Sequence, residues 1–288
     1  FIRNTYYYGF YNYYANASYK DNTVIRDSVL NTSNYYFYGI YAYYSKGDIT
    51  GNRILQKETT TTRYTYGIYT YYHNSTGSTN NMIANNDIVL HPMGAYYGIY
   101  SSYSRCDIWF NSIHMISHNT GYPYGIYVNS NNKTSNYTIK YNDVAITGFN
   151  GSTSYKYGYP IYVSTGNYTY TTEIEDNNMY CANGYVGYFN KVYSNINTWM
   201  TDLGGTNSTA IRPNYADSVN GNKWADYTNG STTVINPIIT TDIDGTTRTG
   251  LTAKGCYNGV VPVGYDAALV SFYMNPDRFF GGNTDSVF

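Results

Sequence analysis

The sequence predicts an all-β solenoid in which short strands stack coil upon coil. Two observations support this prediction. A tetrapeptide, Tyr-Gly-Ile-Tyr, recurs along the chain, and each copy is followed by a pair of apolar residues that flank an Asn. The glycines of successive copies lie 30, 28, 31, 27 and 33 residues apart. A regular period of this length that tolerates insertions is typical of stacked structural repeats.

The tetrapeptide predicts one strand of each coil. Intact copies start at Tyr38, Tyr66, Tyr97 and Tyr124, and degenerate copies start at Tyr8 and Tyr157. Side chains alternate between the two faces of a strand, so an inward Ile sends the next Tyr outward. This alternation predicts an outer column of rings: Tyr11, Tyr41, Tyr69, Tyr100, Tyr127 and Tyr162. It also predicts an inner column, two positions before each Ile: Tyr38, Tyr66, Tyr97 and Tyr124.

The second pattern predicts a bend between two further strands of each coil. Alternation on both sides of the Asn indicates strands with one buried face. An Asn suits the bend because it tolerates the left-handed region and its amide can form hydrogen bonds. Stacking would then align the equivalent residues in one column: Asn22, Asn52, Asn86, Asn111, Asn142 and Asn177.

Together these motifs, Gly-Ile-Tyr followed by Ile-x-x-Asn-x-Ile, cover roughly residues 5–200. They resemble the repeats of right-handed parallel β-helix proteins, the superfamily that includes pectate lyases. The resemblance implies a right-handed parallel β-helix of about six to seven coils, the seventh being a short coil over residues 184–199. That fold hosts lyases, hydrolases, adhesins and inert stalks, so the resemblance implies no single activity.

Three segments are predicted: a β-helix over residues 1–200, a β-rich capping segment over 201–264 and a strand-like tail over 265–288. Turn sequences such as Asp202–Gly205 mark the change of pattern. The run Asp242–Arg248 resembles the closing segment of secreted bacterial, Bacteroidota-like β-helix surface proteins, although Cys256 and Asn258 depart from that pattern. Residues 266–273 resemble the first strand of an immunoglobulin-like module.

Composition narrows the possible partners. The net charge is −1 and 12% of residues are charged, which argues against nucleic-acid binding because phosphates need a basic surface. No apolar run is long enough to span a membrane. The three cysteines have no CxxC spacing, and Cys106 and Cys181 are expected to be small buried hydrophobic residues.

Tyrosine is the unusual residue, with 42 copies in 288 residues. Stacking between coils is a sufficient reason for the inner column, because stacked rings stabilise their neighbours. The outer column is different. A long strip of exposed rings is an unusual surface for a free monomer, so this strip is expected to have a partner.

A few polar residues are candidates for chemistry. Asp242 and Asp244 offer a weak Ca²⁺ site, against which a plain turn with Arg248 paired to a carboxylate is favoured. His114 and His118 would need a helix to bind zinc together, and their surroundings indicate strand and loop. No cofactor is therefore expected.

Glu173 and Glu175 are the acidic cluster of the repeats, predicted to lie on the outer face. They could meet the spacing of a glycosidase pair, but a solvated outer face is the favoured interpretation. A β-helix lyase would also need a basic residue beside an acidic Ca²⁺ set, and no coil offers one. We therefore predict no catalytic residues and no hydrolytic or lyase activity.

An extracellular, cell-surface location is expected. Three Asp-Ser-Val sequences resemble the O-glycan acceptor motif of some bacterial secreted proteins, which makes Ser28, Ser218 and Ser286 candidate glycosylation sites.

Two functions of different class follow. The first is a structural or adhesive surface protein, with head-to-tail filament formation through an inter-subunit strand that contains Ala267, Leu269, Ser271 and Tyr273. The alternative is a carbohydrate-binding or carbohydrate-active β-helix whose outer tyrosines stack on sugar rings.

Overall fold

Three parallel sheets form the walls of the molecule, and each coil adds one strand to each sheet. A computed structural model describes residues 1–27, 36–57, 64–91, 94–117, 121–129, 137–148, 158–166, 173–215, 231–233, 238–248 and 250–258. Neighbouring strands within each sheet come from successive coils, so the strand order follows the chain. This arrangement confirms the predicted parallel β-helix class.

The strands are numbered in chain order and fall into sheets as follows. The first sheet contains β2 (Tyr8–Tyr13), β5 (Phe37–Tyr43), β8 (Thr65–Tyr71), β11 (Tyr96–Ser102), β14 (Pro123–Asn129), β17 (Tyr159–Ser164), β20 (Gly187–Phe189) and the antiparallel β21 (Val192–Tyr193). The second contains β3 (Tyr19–Lys20), β6 (Ile49–Thr50), β9 (Asn81–Ala84), β12 (Cys106–Trp109), β15 (Tyr137–Lys140) and β18 (Glu173–Glu175). The third contains β1 (Ile2–Arg3), β4 (Thr23–Arg26), β7 (Arg53–Gln56), β10 (Asp87–Leu90), β13 (Ser112–Ile116), β16 (Asp143–Thr147) and β19 (Asn178–Cys181).

The core lies between the three sheets and repeats from coil to coil. Ile68 pairs in register with Ile40 and Ile99, and all three side chains are fully buried. The isoleucines of the second sheet, such as Ile83 and Ile108, pair in the same way. Each coil therefore buries its apolar residues against the equivalent residues of the next coil, which explains why the motif recurs.

The glycine of each tetrapeptide is required by close packing. A Cβ atom on Gly39 would lie 2.6 Å from the carbonyl oxygen of Gly67 and 2.7 Å from Cγ2 of Ile54. No side chain fits there, because both the next coil and the facing sheet approach the backbone. Gly39 and Ile40 are both buried, so the strict alternation of the strand is broken at this point.

A helix follows the last coil, which the sequence analysis did not predict. Helix α1 spans Ile196–Leu203, in place of the expected end of a seventh coil. Asn195 caps its first turn and Gly204 ends it in the left-handed region, at φ 67°. Trp199 is fully buried, and a Cβ on Gly187 would lie 2.5 Å from its ring.

This C-terminal region covers the last edge of all three sheets. Strand β21 pairs with β20 of the first sheet. Backbone bonds join Thr206 to Asp176 after the second sheet, and Thr209 to Asn177 and Met179 in the third. Residues 192–209 therefore cover the C-terminal end of the stack.

A second segment, residues 238–248 and 250–258, lies along the side of the solenoid. Its backbone and side chains reach Asn85 and Asp87 on one coil and Ser112 on the next. Strand β23 (Leu251–Ala253) of this segment pairs antiparallel with β22 (Ser231–Thr233). The predicted boundaries at residues 200 and 264 stay predictions. In the described part of the chain, no helix is long and apolar enough to cross a membrane.

Candidate functional site

The outward surface of the first sheet is covered by tyrosines, and we call it the tyrosine face. Among the described residues, its rings include four columns of three or more tyrosines along the solenoid axis. Column one contains Tyr8, Tyr38, Tyr66, Tyr97, Tyr124 and Tyr159. Column two is the predicted outer column, Tyr11, Tyr41, Tyr69, Tyr100, Tyr127 and Tyr162, extended by Tyr188. Column three contains Tyr13, Tyr43 and Tyr71, and column four contains Tyr14, Tyr44, Tyr72 and Tyr103.

Column two is a continuous stack. Neighbouring ring centroids lie 4.2–5.1 Å apart, and the ring planes agree within 7°. This spacing matches the distance of about 4.8 Å between neighbouring strands. Because each ring from Tyr41 to Tyr162 lies between two others, both of its faces are covered, and mainly the ring edges meet solvent.

Column one is not an inner column, contrary to the sequence prediction. Its rings lie on the same outward face and pack edge-on against column two, with Tyr38 and Tyr41 5.2 Å apart at 86°. The reason is the break in alternation, since Gly39 and Ile40 both point inward. The burial of Tyr66, with 9% of its surface exposed, comes from neighbouring tyrosines rather than from the apolar core.

Column four adopts a backbone conformation that bulky residues rarely adopt. Its φ values are 56° at Tyr14, 46° at Tyr44, 49° at Tyr72 and 52° at Tyr103. The left-handed region costs a residue with a Cβ atom about 1–2 kcal/mol. Asn190, beside the last coil, adopts the same conformation with a short side chain, φ 53°. Four tyrosines therefore occupy positions where Gly or Asn would be less strained.

The tyrosine face is uncharged at neutral pH. Burial, followed by the neighbouring phenols, raises the pKa of Tyr41 and of Tyr127 to about 12. The same causes raise the pKa of Tyr71 to about 12, and burial raises the pKa of Tyr100. Tyr11, in the first coil, is 56% exposed, so the face is most accessible at that end.

The predicted asparagines lie together in one column at the bend between the second and third sheets. Each Nδ2 donates to the Oδ1 of the next Asn over 2.8–3.0 Å. Asn111, for example, also donates from Nδ2 to the carbonyl oxygen of Ile83 and from its backbone N–H to Asn142. The column from Asn52 to Asn177 is fully buried, and its amides are satisfied.

The sequence predicted that the Asn itself would adopt the left-handed conformation at this bend. In the structure, a different residue adopts it. It is the residue before each Asn: Asp21, Gly51, Asn85, Phe110, Tyr141 and Asp176, with φ between 51° and 68°. The Asn side chain has a different task, because it must reach the next coil and satisfy buried backbone groups. Residue type alone does not separate these two roles.

The acidic pair of the repeats is bound to a cation that the sequence analysis missed. Nζ of Lys140 lies 2.6 Å from Glu173 and 2.7 Å from Glu175. Lys140 is paired in register with Glu175 on the neighbouring strand, so a correct alignment of the coils would have revealed the contact. Both carboxylates share one ammonium group on the outer face of the second sheet.

The candidate Ca²⁺ residues are engaged within the protein. Oδ1 of Asp242 accepts hydrogen bonds from the backbone N–H groups of Asp244 and Thr246, at 2.9 and 2.7 Å. The Asp244 carboxylate lies 2.6 Å from the guanidinium of Arg53. Arg248 was predicted to pair with a carboxylate, but its guanidinium has no carboxylate partner among the described contacts.

Arg248 is instead buried against the solenoid. Its guanidinium lies 4.1 Å above the ring of Phe110, and its Nη2 donates to Oδ1 of Asn85 and to the carbonyl oxygen of Gly255. Arg248 therefore covers two of the left-handed bend residues and fastens the lateral segment to the coils.

Other predicted site residues are placed as follows. Nε2 of His114 lies 2.8 Å from Oγ1 of Thr147, and His118 lies outside the described residues. Among the described residues, no group of three or more His, Cys, Asp or Glu could hold a metal. Cys106 is buried, as predicted, and Cys181 is half-buried. The candidate glycosylation sites Ser28, Ser218 and Ser286, and the strand residues Ala267, Leu269, Ser271 and Tyr273, lie outside the described residues.

Sequence reasoning also missed a buried histidine. Nδ1 of His73 lies 2.8 Å from Oγ of Ser45, and Nε2 lies 2.9 Å from the carbonyl oxygen of Gly47. Burial lowers the pKa of His73 to about 4. No motif marks this position, because the contact joins successive coils. A separate cleft of about 590 Å³, lined by His114, Arg212 and neighbouring residues, lies beside β13.

In comparisons with known proteins, no protein-family model, no curated protein and no solved structure matched the chain. The class of the protein, a parallel β-helix with tyrosine columns on one face, is therefore defined by its own structure.

Proposed function

We propose that this chain is a structural and adhesive protein of an extracellular surface, and that the tyrosine face is its contact surface. The observation that supports the proposal is the ordered array of columns on one side of the solenoid. The secreted bacterial surface type, proposed from the sequence resemblance alone, agrees with it.

The backbone conformation of column four supports a role for the rings beyond stabilising the fold. Four left-handed tyrosines carry a backbone cost of about 1–2 kcal/mol each, which Gly or Asn would reduce. Stacking returns about 0.5–1.5 kcal/mol per pair. The two terms are of similar size, so stability alone gives little reason to place Tyr at these positions. A need for rings on the surface gives a direct reason.

The form of the face suits an extended partner. The columns repeat about every 4.8 Å along a sheet and present ring edges rather than a pocket. Low charge removes long-range repulsion from most surfaces. Tyrosine combines a large apolar body with a polar tip, which suits contact with partly wet surfaces.

Carbohydrate binding is the second candidate function. It would not use the stacking of sugar rings on tyrosine faces that the sequence led us to expect. Sugars cannot stack on the faces of interior rings such as Tyr69, because neighbouring rings at 4.9 and 5.0 Å cover both faces. Hydroxyl groups at the ring edges are the remaining points of contact. For an enzyme, the pair Glu173 and Glu175 would first have to be released from Lys140.

Filament formation stays a hypothesis of lower rank. Residues 192–209 cover the C-terminal edges of the sheets, which would obstruct direct stacking of coils at that end. A polymer would therefore depend on the predicted strand over residues 267–273.

Adhesion can be measured with a quartz crystal microbalance on silica, polystyrene and insoluble polysaccharides. The variant Tyr41→Phe/Tyr69→Phe/Tyr100→Phe keeps the stack and removes three hydroxyl groups. Tyr180→Phe makes the same change outside the columns and is the control. We expect the triple variant to lose most of its adhesion and the control to retain it.

Equal adhesion by the native chain and the triple variant would contradict the adhesive role of the hydroxyl groups. Binding confined to polysaccharides would favour the carbohydrate-binding alternative. Release of reducing or unsaturated sugars, abolished by Glu173→Gln or Glu175→Gln, would identify an enzyme.

A further inference from the structure

Columns one and two form an unbroken line of phenol rings along the solenoid. The rings of column two are 4.2–5.1 Å apart from Tyr11 to Tyr188. Those of column one pack edge-on against them at 5.2–5.7 Å between Tyr38 and Tyr162. Rings in van der Waals contact are electronically coupled. Because neighbouring rings have the same chemistry and similar surroundings, an electron can pass between them with little driving force.

We propose that these two columns carry an oxidising equivalent along the solenoid, from the exposed ring of Tyr11 towards Tyr188. An external one-electron oxidant, such as an oxidised metal complex or the high-valent iron of a peroxidase, takes one electron from Tyr11. The hydroxyl proton of Tyr11 passes to water, which leaves a phenoxyl radical.

The next step moves this radical by one coil. Tyr41 gives an electron to the Tyr11 radical and its hydroxyl proton to water, while Tyr11 recovers a proton from water. One electron and one proton are exchanged, so the outcome is one oxidised ring at the next position. Repetition along the column needs no further oxidant.

The burial of column two meets the needs of this proton exchange. Its interior rings, from Tyr41 to Tyr188, are half-buried, so they retain contact with water. Their covered faces limit direct collision with other molecules. Tyr11 is the accessible point of entry because 56% of its surface is exposed. Burial raises the pKa of interior phenols such as Tyr69, which are therefore protonated at neutral pH, so each ring that loses an electron must also release its hydroxyl proton.

The path narrows at the fifth coil. Columns three and four end at Tyr71 and Tyr103, and the next position of column three is Ser102, followed by Asn129. At β14 the stacked path is therefore carried by Tyr124 and Tyr127 alone among the described columns. Changing both to Phe preserves two rings but removes two oxidisable phenols. The gap between phenols then becomes about 10 Å, twice the strand spacing.

The test places an oxidant and a trap at opposite ends. A ruthenium photo-oxidant is attached to Ala15→Cys, an exposed position beside Tyr14, and 3-aminotyrosine replaces Tyr188 as a radical trap of lower potential. The chain without the Ala15 change is the labelling control, because Cys106 and Cys256 are buried and Cys181 is half-buried. After flash oxidation with an irreversible quencher, electron paramagnetic resonance detects the aminotyrosyl radical.

We expect the trap radical in the intact columns and its loss in Tyr124→Phe/Tyr127→Phe. Tyr180→Phe, outside the columns, should retain it. Circular dichroism and thermal unfolding check that the variants fold alike. An equal radical yield in the double variant, or no radical in the intact chain, would overturn the proposal. Equal transfer from a labelled chain without the trap to an unlabelled chain with it would also overturn it, since transfer would then occur between molecules.

Discussion

The asparagine column and the tyrosine face repeat with the same period but solve opposite problems. The column from Asn52 to Asn177 is fully buried, and its amides bond to one another and to backbone carbonyl groups. The rings of column two are half-buried and their edges face solvent. The asparagine column satisfies buried polar groups inside the bend, and the tyrosine face forms a surface. A repeat in sequence therefore does not indicate by itself whether a position serves stability or contact.

The difference also shows where substitution should matter. A buried amide has several partners that cannot find water after its removal. A ring at the surface loses contacts, but its neighbours stay solvated. Breaking each ladder in turn should thus give unequal losses of stability.

The largest loss is expected at the asparagine column. Asn111→Leu removes the acceptor of the Asn86 side chain and backbone N–H, and also two donations from Nδ2. At about 1–3 kcal/mol for each orphaned buried donor, we expect a loss of roughly 4 kcal/mol in unfolding free energy. Chemical denaturation measures it. Asn197→Leu, on the exposed side of α1, is the control, and equal losses in both variants would contradict the column.

The next largest loss of stability is expected when the pH is lowered. The pKa of His73 is about 4 in the folded chain against 6.5 in a model peptide. The unfolded state therefore binds the proton more tightly, so this contribution is complete above pH 6.5 and is lost as pH falls towards 4. The shift corresponds to at most about 3 kcal/mol. His73→Gln should remove this part of the pH dependence, and an unchanged acid profile would refute the assignment.

A smaller loss is expected on the tyrosine face. Tyr69→Ala removes stacking with Tyr41 and Tyr100, at 4.9 and 5.0 Å, and edge contacts with column one. At about 0.5–1.5 kcal/mol per pair, we expect a loss of roughly 2 kcal/mol. Tyr69→Phe keeps the ring and should change stability by less than about 0.5 kcal/mol. If Phe and Ala destabilise equally, the stacking account is wrong.

Alkali should destabilise the tyrosine face. The pKa values of Tyr41, Tyr71 and Tyr127 are raised to about 12, above the ordinary value of 10.0. Their contribution is complete below pH 10 and is lost as pH rises through 12, because the unfolded state loses these protons first. Above pH 10, the tyrosinate absorbance should increase while the β-sheet signal in circular dichroism decreases over the same pH range. Ionisation of most tyrosines near pH 10 without unfolding would contradict this.

Much of the fold could be predicted from the sequence because the coil period is strict. The spacing of the glycines and of Asn52, Asn86 and Asn111 fixed the parallel stacking, and the side of column two followed from the period of a strand. Column one was assigned to the wrong face because Gly39 and Ile40 are consecutive and both face inward. A prediction based on strict alternation cannot detect such a break.

The contacts between distant segments could not be predicted from the sequence, for a different reason. Helix α1 has a visible N-cap at Asn195 and a C-terminal Gly204, but the expectation of another coil concealed them. The place of Arg248 over Phe110 depends on how the lateral segment folds back, and no local pattern encodes that path. The same holds for Lys140, whose partners lie one coil away.

The most direct test of the central claim is footprinting of the adsorbed protein. Hydroxyl radicals modify accessible tyrosines, and mass spectrometry compares the chain in solution with the chain bound to silica. If the tyrosine face is the contact surface, Tyr11, Tyr41 and Tyr69 should be protected on binding, whereas Tyr180 should be modified equally in both states. Protection of Tyr180 with unchanged modification of the columns would show that another side of the solenoid makes the contact.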